Sequence, residues 1–311
     1  MFNINNFLEE INCPSCNSID YHIIRYSNYK NIKNLQDLLF IYKSSADMPI
    51  IDQLVMCKKC ELTYLNPRIK SEIILQSYTE NHDEKHISQD SMRYRTFEKS
   101  INKIIKKIKV FEITNKTFLD IGTASGVFLK VIKDKGFEES GFEPSNWMVN
   151  FGREKYNVNI KQGFINDAKD IKKYDYISFW DVLEHVTDLQ ATLKKIEKLS
   201  KKNTFLIINV PDVDSYTAKL MKFKWPFYLN VHLYYFKKKT LESIFNKYDF
   251  ELILNFPHWQ YLQLGYLFER AGKYFSFFLI LKKISDFIKI SKISVPYNMG
   301  QTTFVFKKKN D

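Results

Sequence analysis

Two glycines and two acidic residues near the middle of the chain are spaced to bind a nucleoside. An apolar run that ends at Asp120 is interrupted at Gly122 and Gly126 and then resumes, which predicts a buried strand, a tight turn and a helix. Residues 137–142 predict the next parallel strand, so Glu143 should lie at its carboxyl end. A carboxylate there can accept hydrogen bonds from both hydroxyls of a ribose. We therefore expect a nucleoside-containing cofactor at this turn.

The glycine spacing argues against a dinucleotide cofactor. A dinucleotide fingerprint needs G-x-G-x-x-G, whereas residues 122–127 are Gly-Thr-Ala-Ser-Gly-Val. They resemble instead the acidic-x-Gly-x-Gly-x-Gly loop of class I S-adenosylmethionine-dependent methyltransferases, with Asp120 as the acid and Ala124 in place of the middle glycine. The resemblance implies that S-adenosylmethionine is the cofactor.

The resemblance continues downstream and covers roughly residues 117–256 and the tail from 299. Residues 181–186, Asp-Val-Leu-Glu-His-Val, resemble a segment that follows the fourth strand of many small-molecule methyltransferases. Residues 232–236, His-Leu-Tyr-Tyr-Phe, resemble a stretch of one branch of the family. The cofactor-binding residues expected on these grounds are Asp120, Gly122, Thr123, Ala124, Gly126, Glu143, Phe164, Trp180 and Asp181.

Strands that alternate with helices predict an α/β fold with a mostly parallel, doubly wound sheet. The resemblance implies the seven-stranded, Rossmann-like sheet of the methyltransferases over residues 117–311. Residues 257–298, rich in aromatic residues and lysine, predict a helical insertion before the last strand. It can be a substrate cap, a dimer contact or an amphipathic element on a membrane, and the cap is favoured because ligands bind at this edge of such sheets.

All four cysteines lie in two C-x-x-C pairs, Cys13 with Cys16 and Cys57 with Cys60. Such pairs present four thiolates to a tetrahedral zinc ion, which leaves no open position for catalysis. We expect a structural zinc ribbon over residues 1–70, and residues 57–67 resemble the ribbon ends fused ahead of some sugar and natural-product methyltransferases. A disulfide framework is the alternative, disfavoured because no secretory signal is apparent.

Residues 71–116 predict a polar helical connector, which serves either as a lid on the cofactor or as a solvated linker. Tyr78, Tyr94 and Arg95 are the expected lid contacts. His82 and His86 can share a helix face. Without a further ligand in view, they are expected to be surface histidines.

Composition indicates an ordinary cytoplasmic enzyme. The chain has 311 residues, 45% of them hydrophobic, and its longest apolar stretch near the end is too short to span a bilayer. Its net charge of +12 favours an anionic partner such as RNA, a nucleotide-linked substrate or a membrane surface. Lysines are spread throughout, so the charge equally fits a compositional habit of the genome.

Methyl transfer is an in-line displacement that mainly requires alignment in a dry pocket. If the acceptor is a hydroxyl, an imidazole is the natural general base, and His232 is our first candidate and His185 the second. Asp181, Glu184 and His185 together resemble the divalent-metal set of ubiquinone-pathway O-methyltransferases. Alternatively, Glu184 and His185 only brace the segment after the fourth strand.

The leading functional hypothesis is O-methylation of a small molecule, nucleotide sugar or glycan in surface-polysaccharide metabolism. An RNA methyltransferase is the variant, disfavoured because the fourth strand ends in Phe-Trp-Asp and lacks an Asn/Asp-Pro-Pro-aromatic signature for a planar amine. A non-catalytic zinc-ribbon binding protein with a degenerate cofactor fold is the third, supported only by Ala124. The sequence makes no prediction of oligomeric state.

Overall fold

A computed structural model describes residues 3–43, 48–79, 84–109, 111–169, 172–272 and 275–309. The strands are β1 (Leu8–Glu9), β2 (Tyr21–Arg25), β3 (Leu54–Cys57), β4 (Thr63–Leu65), β5 (Arg68–Ile69), β6 (Thr117–Ile121), β7 (Glu138–Glu143), β8 (Ile160–Gln162), β9 (Tyr174–Trp180), β10 (Ser200–Pro211), β11 (Tyr234–Tyr235), β12 (Phe250–Pro257), β13 (Gln260–Gln263), β14 (Ser294–Tyr297) and β15 (Gln301–Lys308). The helices are α1 (Leu35–Ile41), α2 (Ser71–Thr79), α3 (Glu84–Ser88), α4 (Asp90–Lys107), α5 (Val127–Asp134), α6 (Asn146–Tyr156), α7 (Leu189–Leu199), α8 (Tyr216–Met221), α9 (Lys238–Asn246), α10 (Leu264–Gly272) and α11 (Phe277–Phe287). None of the helices in the described ranges is long and apolar enough to cross a membrane.

The central sheet has seven strands in the order β12-β15-β10-β9-β6-β7-β8. β15 runs antiparallel to both of its neighbours, and the pairs from β10 to β8 are parallel. Every residue of β6 is buried, as expected for a parallel strand covered by helices on both faces. The predicted α/β, doubly wound, seven-stranded sheet is confirmed.

Local signals set the helices that flank this sheet. The Asp188 side chain accepts the backbone N–H of Ala191 at 2.9 Å and caps α7, as predicted. α7 buries its apolar residues, Leu189, Leu193, Ile196 and Leu199. In the same way α5 buries Val127, Phe128, Leu129, Val131 and Ile132 against the sheet.

The N-terminal segment forms a second, four-stranded sheet in the order β11-β4-β3-β2. β11 comes from the loop after β10, far along the chain, and pairs antiparallel with β4 through Tyr234–Tyr64 and Tyr235–Thr63. Apolar side chains of both parts belong to one continuous buried cluster. The ribbon sheet is therefore completed by the methyltransferase-like part of the chain, a pairing that the predicted boundary at residue 70 does not convey.

The insertion between β12 and β15 is only partly helical. It contains α10 and α11, as predicted, and in addition the antiparallel pair β13–β14, which joins its two ends. α11 packs on α10, where Leu279 lies against Gly272, and Ser291, in the segment after α11, lies against Gly265. The predicted helical insertion is confirmed, and the strand pair, which was not predicted, closes the insertion at its base.

The turn from β6 to α5 is built from left-handed residues. Gly122 has φ +71°, Ala124 φ +48° and Gly126 φ +79°. A Cβ atom at Gly122 would lie 2.5 Å from a Val182 methyl group, so this position requires glycine. Ala124 occupies a conformation that glycine adopts more readily, which identifies the departure from the family motif as a local backbone cost.

We predict that Ala124→Gly leaves the protein equally stable or stabilises it by up to about 1 kcal/mol, because relief of the left-handed strain, about 1–2 kcal/mol, exceeds the entropic cost of glycine, about 0.5–1 kcal/mol. Urea unfolding measures the difference. Ala191→Gly in α7 is the matched control, where glycine should cost about 0.5–1 kcal/mol. Equal losses in both variants would contradict the left-handed backbone at Ala124.

Candidate active site

A cavity of about 610 Å³ lies at the carboxyl edge of the central sheet. Its floor is formed by the ends of β6, β7 and β9, and its walls come from α2, α4, the loop before β11 and the insertion. A volume of this size suits a cofactor with a small substrate. Strand ends of a doubly wound sheet therefore converge on one cavity, as the topology requires.

Glu143 ties the glycine turn to the second strand. Its Oε2 accepts the backbone N–H of Ala124 at 2.9 Å, and its Oε1 accepts that of Ser145 at 2.9 Å. Glu143 is only 8% exposed and lines the cavity. Each oxygen retains a second lone pair, so a bound ribose can still donate to it.

The acids at this end of the cavity titrate near neutrality. Burial raises the pKa of Glu143 to about 7, against the opposing effect of the N–H groups of Ser145 and Ala124. Burial also raises the pKa of Asp120 to about 7, although Ser178 donates a hydrogen bond to it at 2.5 Å. Hydrogen bonds or a positive charge from a bound ligand would favour the ionised form of both carboxyl groups.

The residues present fit an adenosyl cofactor. Asp120, Gly122, Thr123, Ala124, Glu143, Phe164, Trp180 and Asp181 all line the cavity. The indole Nε1 of Trp180 and the amide Oε1 of Gln89 are buried and have no partner among the described residues. They offer a donor and an acceptor to a ligand. Gly126 is not among the lining residues: a Cβ there would meet Val158 and Ile160 at 3.0 Å, so it serves the packing of α5.

Asp181 does not join Glu184 and His185 in the metal-binding set that the sequence had suggested. Its Oδ1 accepts hydrogen bonds from Asn209 at 2.6 Å and from Gln301 at 2.7 Å. Burial raises the pKa of its carboxyl group to about 6. These two amides orient it at the end of β9, and His232 takes the third place beside Glu184 and His185.

The side-chain ligand atoms of Glu184, His185 and His232 lie within 4.8 Å of one another. His185 Nδ1 lies 2.9 Å from the carbonyl oxygen of Val231, and His232 Nδ1 lies 2.8 Å from that of Phe227. Since a carbonyl only accepts, each Nδ1 carries the proton and each Nε2 keeps a lone pair. Neither oxygen of Glu184 has a hydrogen-bond partner elsewhere in the described residues. The trio can act as a base or hold a divalent cation.

Burial keeps both imidazoles neutral. It lowers the pKa of His185 to about 4, and it lowers that of His232 well below the usual value, with the neighbouring His185 acting in the same direction. Burial raises the pKa of Glu184 well above its usual value, and the charge of Asp181 adds to this effect. The two histidines that the sequence singled out are therefore brought together, at a ring-centroid distance of 4.7 Å.

The lid contacts predicted from the sequence are correct for one residue of three. Tyr78 lines the cavity and its hydroxyl lies 2.9 Å from His185 Nδ1. Tyr94 bonds instead to Asp134, and the Arg95 guanidinium covers the outer ring of Tyr261 at 4.4 Å. His82 lies outside the described residues, and so does the side chain of His86.

Several lining residues were missed by sequence reasoning. On α4 they recur at helical spacing as Gln89, Arg93, Thr96 and Phe97, a periodicity that could have identified this face. His258 is buried beside Trp180, and burial lowers its pKa to about 3. It follows β12 without a recognisable motif, so no local signal marks it.

The four cysteines form a separate cluster in the N-terminal sheet. Their sulfur atoms lie within 4.8 Å of one another, with Cys13–Cys60 at 3.4 Å and Cys16–Cys57 at 3.5 Å. These separations exceed a disulfide bond of about 2.05 Å and approach the edge of a tetrahedron with metal–sulfur bonds of about 2.3 Å. The cluster can therefore hold a tetrahedral metal ion.

Comparison with known families decides the assignment. Residues 91–255, more than half of the chain, match the model of a methyltransferase domain. The chain belongs to the methyltransferase-domain family. The match begins within α4 and includes the glycine turn, Glu143 and the histidine pair. Family and fold together support S-adenosylmethionine as the cofactor of this methyltransferase.

Individual relatives are distant. The chain is 28% identical over 114 residues to a ubiquinone biosynthesis O-methyltransferase from Pelagibacter ubique, which covers 34% of this chain and 48% of the relative, about half its length. An S-adenosylmethionine-dependent methyltransferase from Archaeoglobus fulgidus has a TM-score of 0.49 and 17% identity over 73% of this chain and 100% of its own. Magnesium protoporphyrin IX methyltransferase from Synechocystis has a TM-score of 0.44 and 11% identity over 70% and 81%.

We predict that Glu143→Ala weakens S-adenosylmethionine binding by about 1–3 kcal/mol, because buried donors lose a charged acceptor. Isothermal calorimetry measures it. Glu138→Ala, at the exposed start of β7, is the matched control and should leave affinity unchanged. Equal affinities for both variants would refute the ribose-binding role.

The pKa of Glu143 adds a pH signature. The ionised carboxylate is the better acceptor, so wild-type affinity should rise as the pH increases through about 7. Glu143→Gln should reduce this dependence and leave the part contributed by Asp120. A pH profile identical to wild type would show that Glu143 does not titrate in the binding step.

Proposed function

We propose that this methyltransferase transfers a methyl group from S-adenosylmethionine to an oxygen atom of a small-molecule acceptor. One observation carries the proposal: a single cavity is lined both by the glycine turn with Glu143 and by His185 with His232. When bound, the cofactor supplies an electrophilic methyl group on a sulfonium. The chain itself must align the acceptor and accept its proton.

His232 is proposed as the general base. Its Nε2 lone pair is available because Phe227 fixes the proton on Nδ1, and the neighbouring carboxyl group of Glu184 can accept a hydrogen bond from the imidazolium that forms. His185, bonded to Tyr78 and Val231, orients the pair from behind.

The acceptor is proposed to be a small ring compound, with a nucleotide sugar or glycan of surface-polysaccharide metabolism as the specific expectation. Aromatic rings of Trp180, Tyr261, Tyr266 and Tyr297 line the cavity and suit a sugar or aromatic face. The Pelagibacter relative is an O-methyltransferase by name, which supports oxygen as the nucleophile. The insertion walls fit a small molecule better than an RNA strand.

His232→Ala should lower turnover by about 10²- to 10⁴-fold while S-adenosylmethionine affinity stays within experimental error. The assay is transfer of a labelled methyl group to pooled nucleotide sugars and phenols, with products identified by mass. The exposed His22 on β2 is the matched control, and His22→Ala should retain full turnover.

The pH profile distinguishes a base from a structural role. Since the pKa of His232 is lowered well below its usual range, wild-type turnover at saturating S-adenosylmethionine and acceptor should stay flat from neutral pH down through 6.5. Near-normal turnover of His232→Ala at saturating acceptor would show that His232 is not the general base. Loss of wild-type activity on chelation, restored by Mg²⁺, would assign the trio to a cation that orients the acceptor oxygen.

We also propose that the cysteine cluster holds one structural zinc ion. Four thiolates at these separations suit zinc and leave no open coordination position. The contact between Cys13 and Cys60 lowers the pKa of Cys60 and raises that of Cys13, so the two thiols share a proton that a bound metal ion would displace. The metal would fix β3 and the turns on either side of it, and through β4 it would support β11.

Metal analysis should find one zinc per chain, and Cys57→Ser should abolish it, since metal binding and folding of such sites are coupled. Because β4 pairs with β11, we expect turnover to fall in this variant while cofactor affinity changes little. His232→Ala should retain the zinc and serves as control. A metal-free wild-type protein with four reactive thiols would contradict the ribbon.

A further inference from the structure

The outward face of α11 is apolar, the reverse of a helix that packs its apolar side on a core. Phe277, Ile280, Ile284, Phe287 and Ile288 are 60%, 57%, 50%, 87% and 52% exposed, and we call these five residues the apolar stripe. They are spaced at i, i+3, i+7, i+10 and i+11, so they lie on one side of the helix. The inward side carries the buried Ser285, and Phe278 contacts Phe268 of α10.

Lysines surround the apolar stripe. Lys283, Lys289 and Lys292 are exposed, and the single acid of the helix, Asp286, is salt-bridged to Lys282. Large side chains flanked by lysines are the composition of helices that lie in the plane of an anionic lipid surface. At 11 residues, or roughly 16 Å, α11 can lie on such a surface but cannot cross it.

A second segment of the same character lies at the same edge of the sheet. α8 and the turn after it expose Tyr216, Leu220 and Phe223 among Lys219, Lys222 and Lys224. Trp225, which follows, donates its indole N–H to the carbonyl of Met299 at 2.5 Å, between β14 and β15. The segment is therefore anchored to the base of the insertion.

We propose that the apolar stripe docks this enzyme on an anionic membrane surface. Charge complementarity favours this occupant over a second copy of the chain, because a symmetric contact through the stripe would place the same lysines opposite one another. α10 lies beneath α11 and contributes Tyr266 and Arg270 to the cavity. Docking would therefore hold the insertion wall of the cavity at the lipid surface, independently of which acceptor is methylated.

Sedimentation of the full chain with vesicles tests the proposal. The protein should bind vesicles of equal parts phosphatidylglycerol and phosphatidylcholine and bind pure phosphatidylcholine at least about tenfold more weakly. Binding should weaken at high salt, since the attraction acts within about a Debye length. Failure to bind the anionic vesicles at low salt overturns the proposal.

Two variants separate the apolar and charge contributions. Ile280→Ser/Phe287→Ser should weaken vesicle binding at least about tenfold, because two exposed rings or chains no longer enter the interface. Lys283→Glu/Lys289→Glu should weaken it about 30-fold or more, since each lysine near an anionic surface contributes a factor of about five. Lys198→Glu/Lys202→Glu is the matched control and should bind normally, since both lysines are exposed and lie at the end of α7 and the start of β10, on the opposite edge of the sheet.

Folding and activity are followed separately. All variants should keep the wild-type melting temperature and S-adenosylmethionine affinity, since the substituted side chains are exposed. Binding that is equally weakened by the control pair would show a general effect of net charge and overturn the assignment to α11. A wild-type dimer in analytical ultracentrifugation that Ile280→Ser/Phe287→Ser dissociates would assign the stripe to a second copy and also overturn it.

Discussion

The pairing of β11 with β4 is the constraint on which the reactive end of the cavity depends. It is only two residues long, yet polar contacts on both sides reinforce it. Leu65 donates its N–H to Leu233, and Leu233 in turn donates to the carbonyl of Glu184. The guanidinium of Arg68 bonds to the Tyr234 hydroxyl and the carbonyl of Thr187. The loop that carries His232 is thus held between the N-terminal sheet and the segment that carries His185, which explains why the two imidazoles meet.

Electrostatics at the other end of the cavity follow from burial of acids. Asp120 and Glu143 are buried and Asp181 is half-buried, and the pKa of each is raised to about 6 or 7. A positively charged sulfonium lowers the cost of ionising such groups. The left-handed conformation of Ala124 contributes to this arrangement, because it directs the Ala124 N–H to the Glu143 carboxylate. The bound cofactor and the ionised carboxylates would therefore stabilise one another.

The sequence predicts the elements better than their contacts. β6 and the end of β9 are mostly apolar, and Asp188 marks the start of α7, so each element is set by neighbours in the chain. The sequence did not show which side of α4 faces the cavity. Arg93 lines the cavity, whereas the expected contacts Tyr94 and Arg95 do not. A shift of one residue turns a helix by about 100°, and a polar helix carries little apolar signal to set the phase.

Long-range pairing escapes a local pattern for a related reason. β11 and β4 are about 170 residues apart, and two residues carry no strand periodicity. Asp181 shows the same limitation, because its orientation depends on Asn209 and Gln301 from two other strands. Motif spacing therefore located the fourth-strand segment but could not say which of its acids joins the histidines.

The insertion has two faces with opposite demands. The inner face of the insertion contributes Tyr261, Tyr266 and Tyr297 to the cavity. The strand pair β13–β14 closes the base of the insertion and so holds these rings in place. Its outer face has no such requirement, and a soluble protein would ordinarily make it polar. Retention of the apolar stripe there, beside lysines rather than acids, is explained if that face has a lipid partner. The cavity wall and the docking surface are then two sides of one packed helix pair, so an acceptor held at the membrane would be presented to the side of the enzyme that encloses the methyl group.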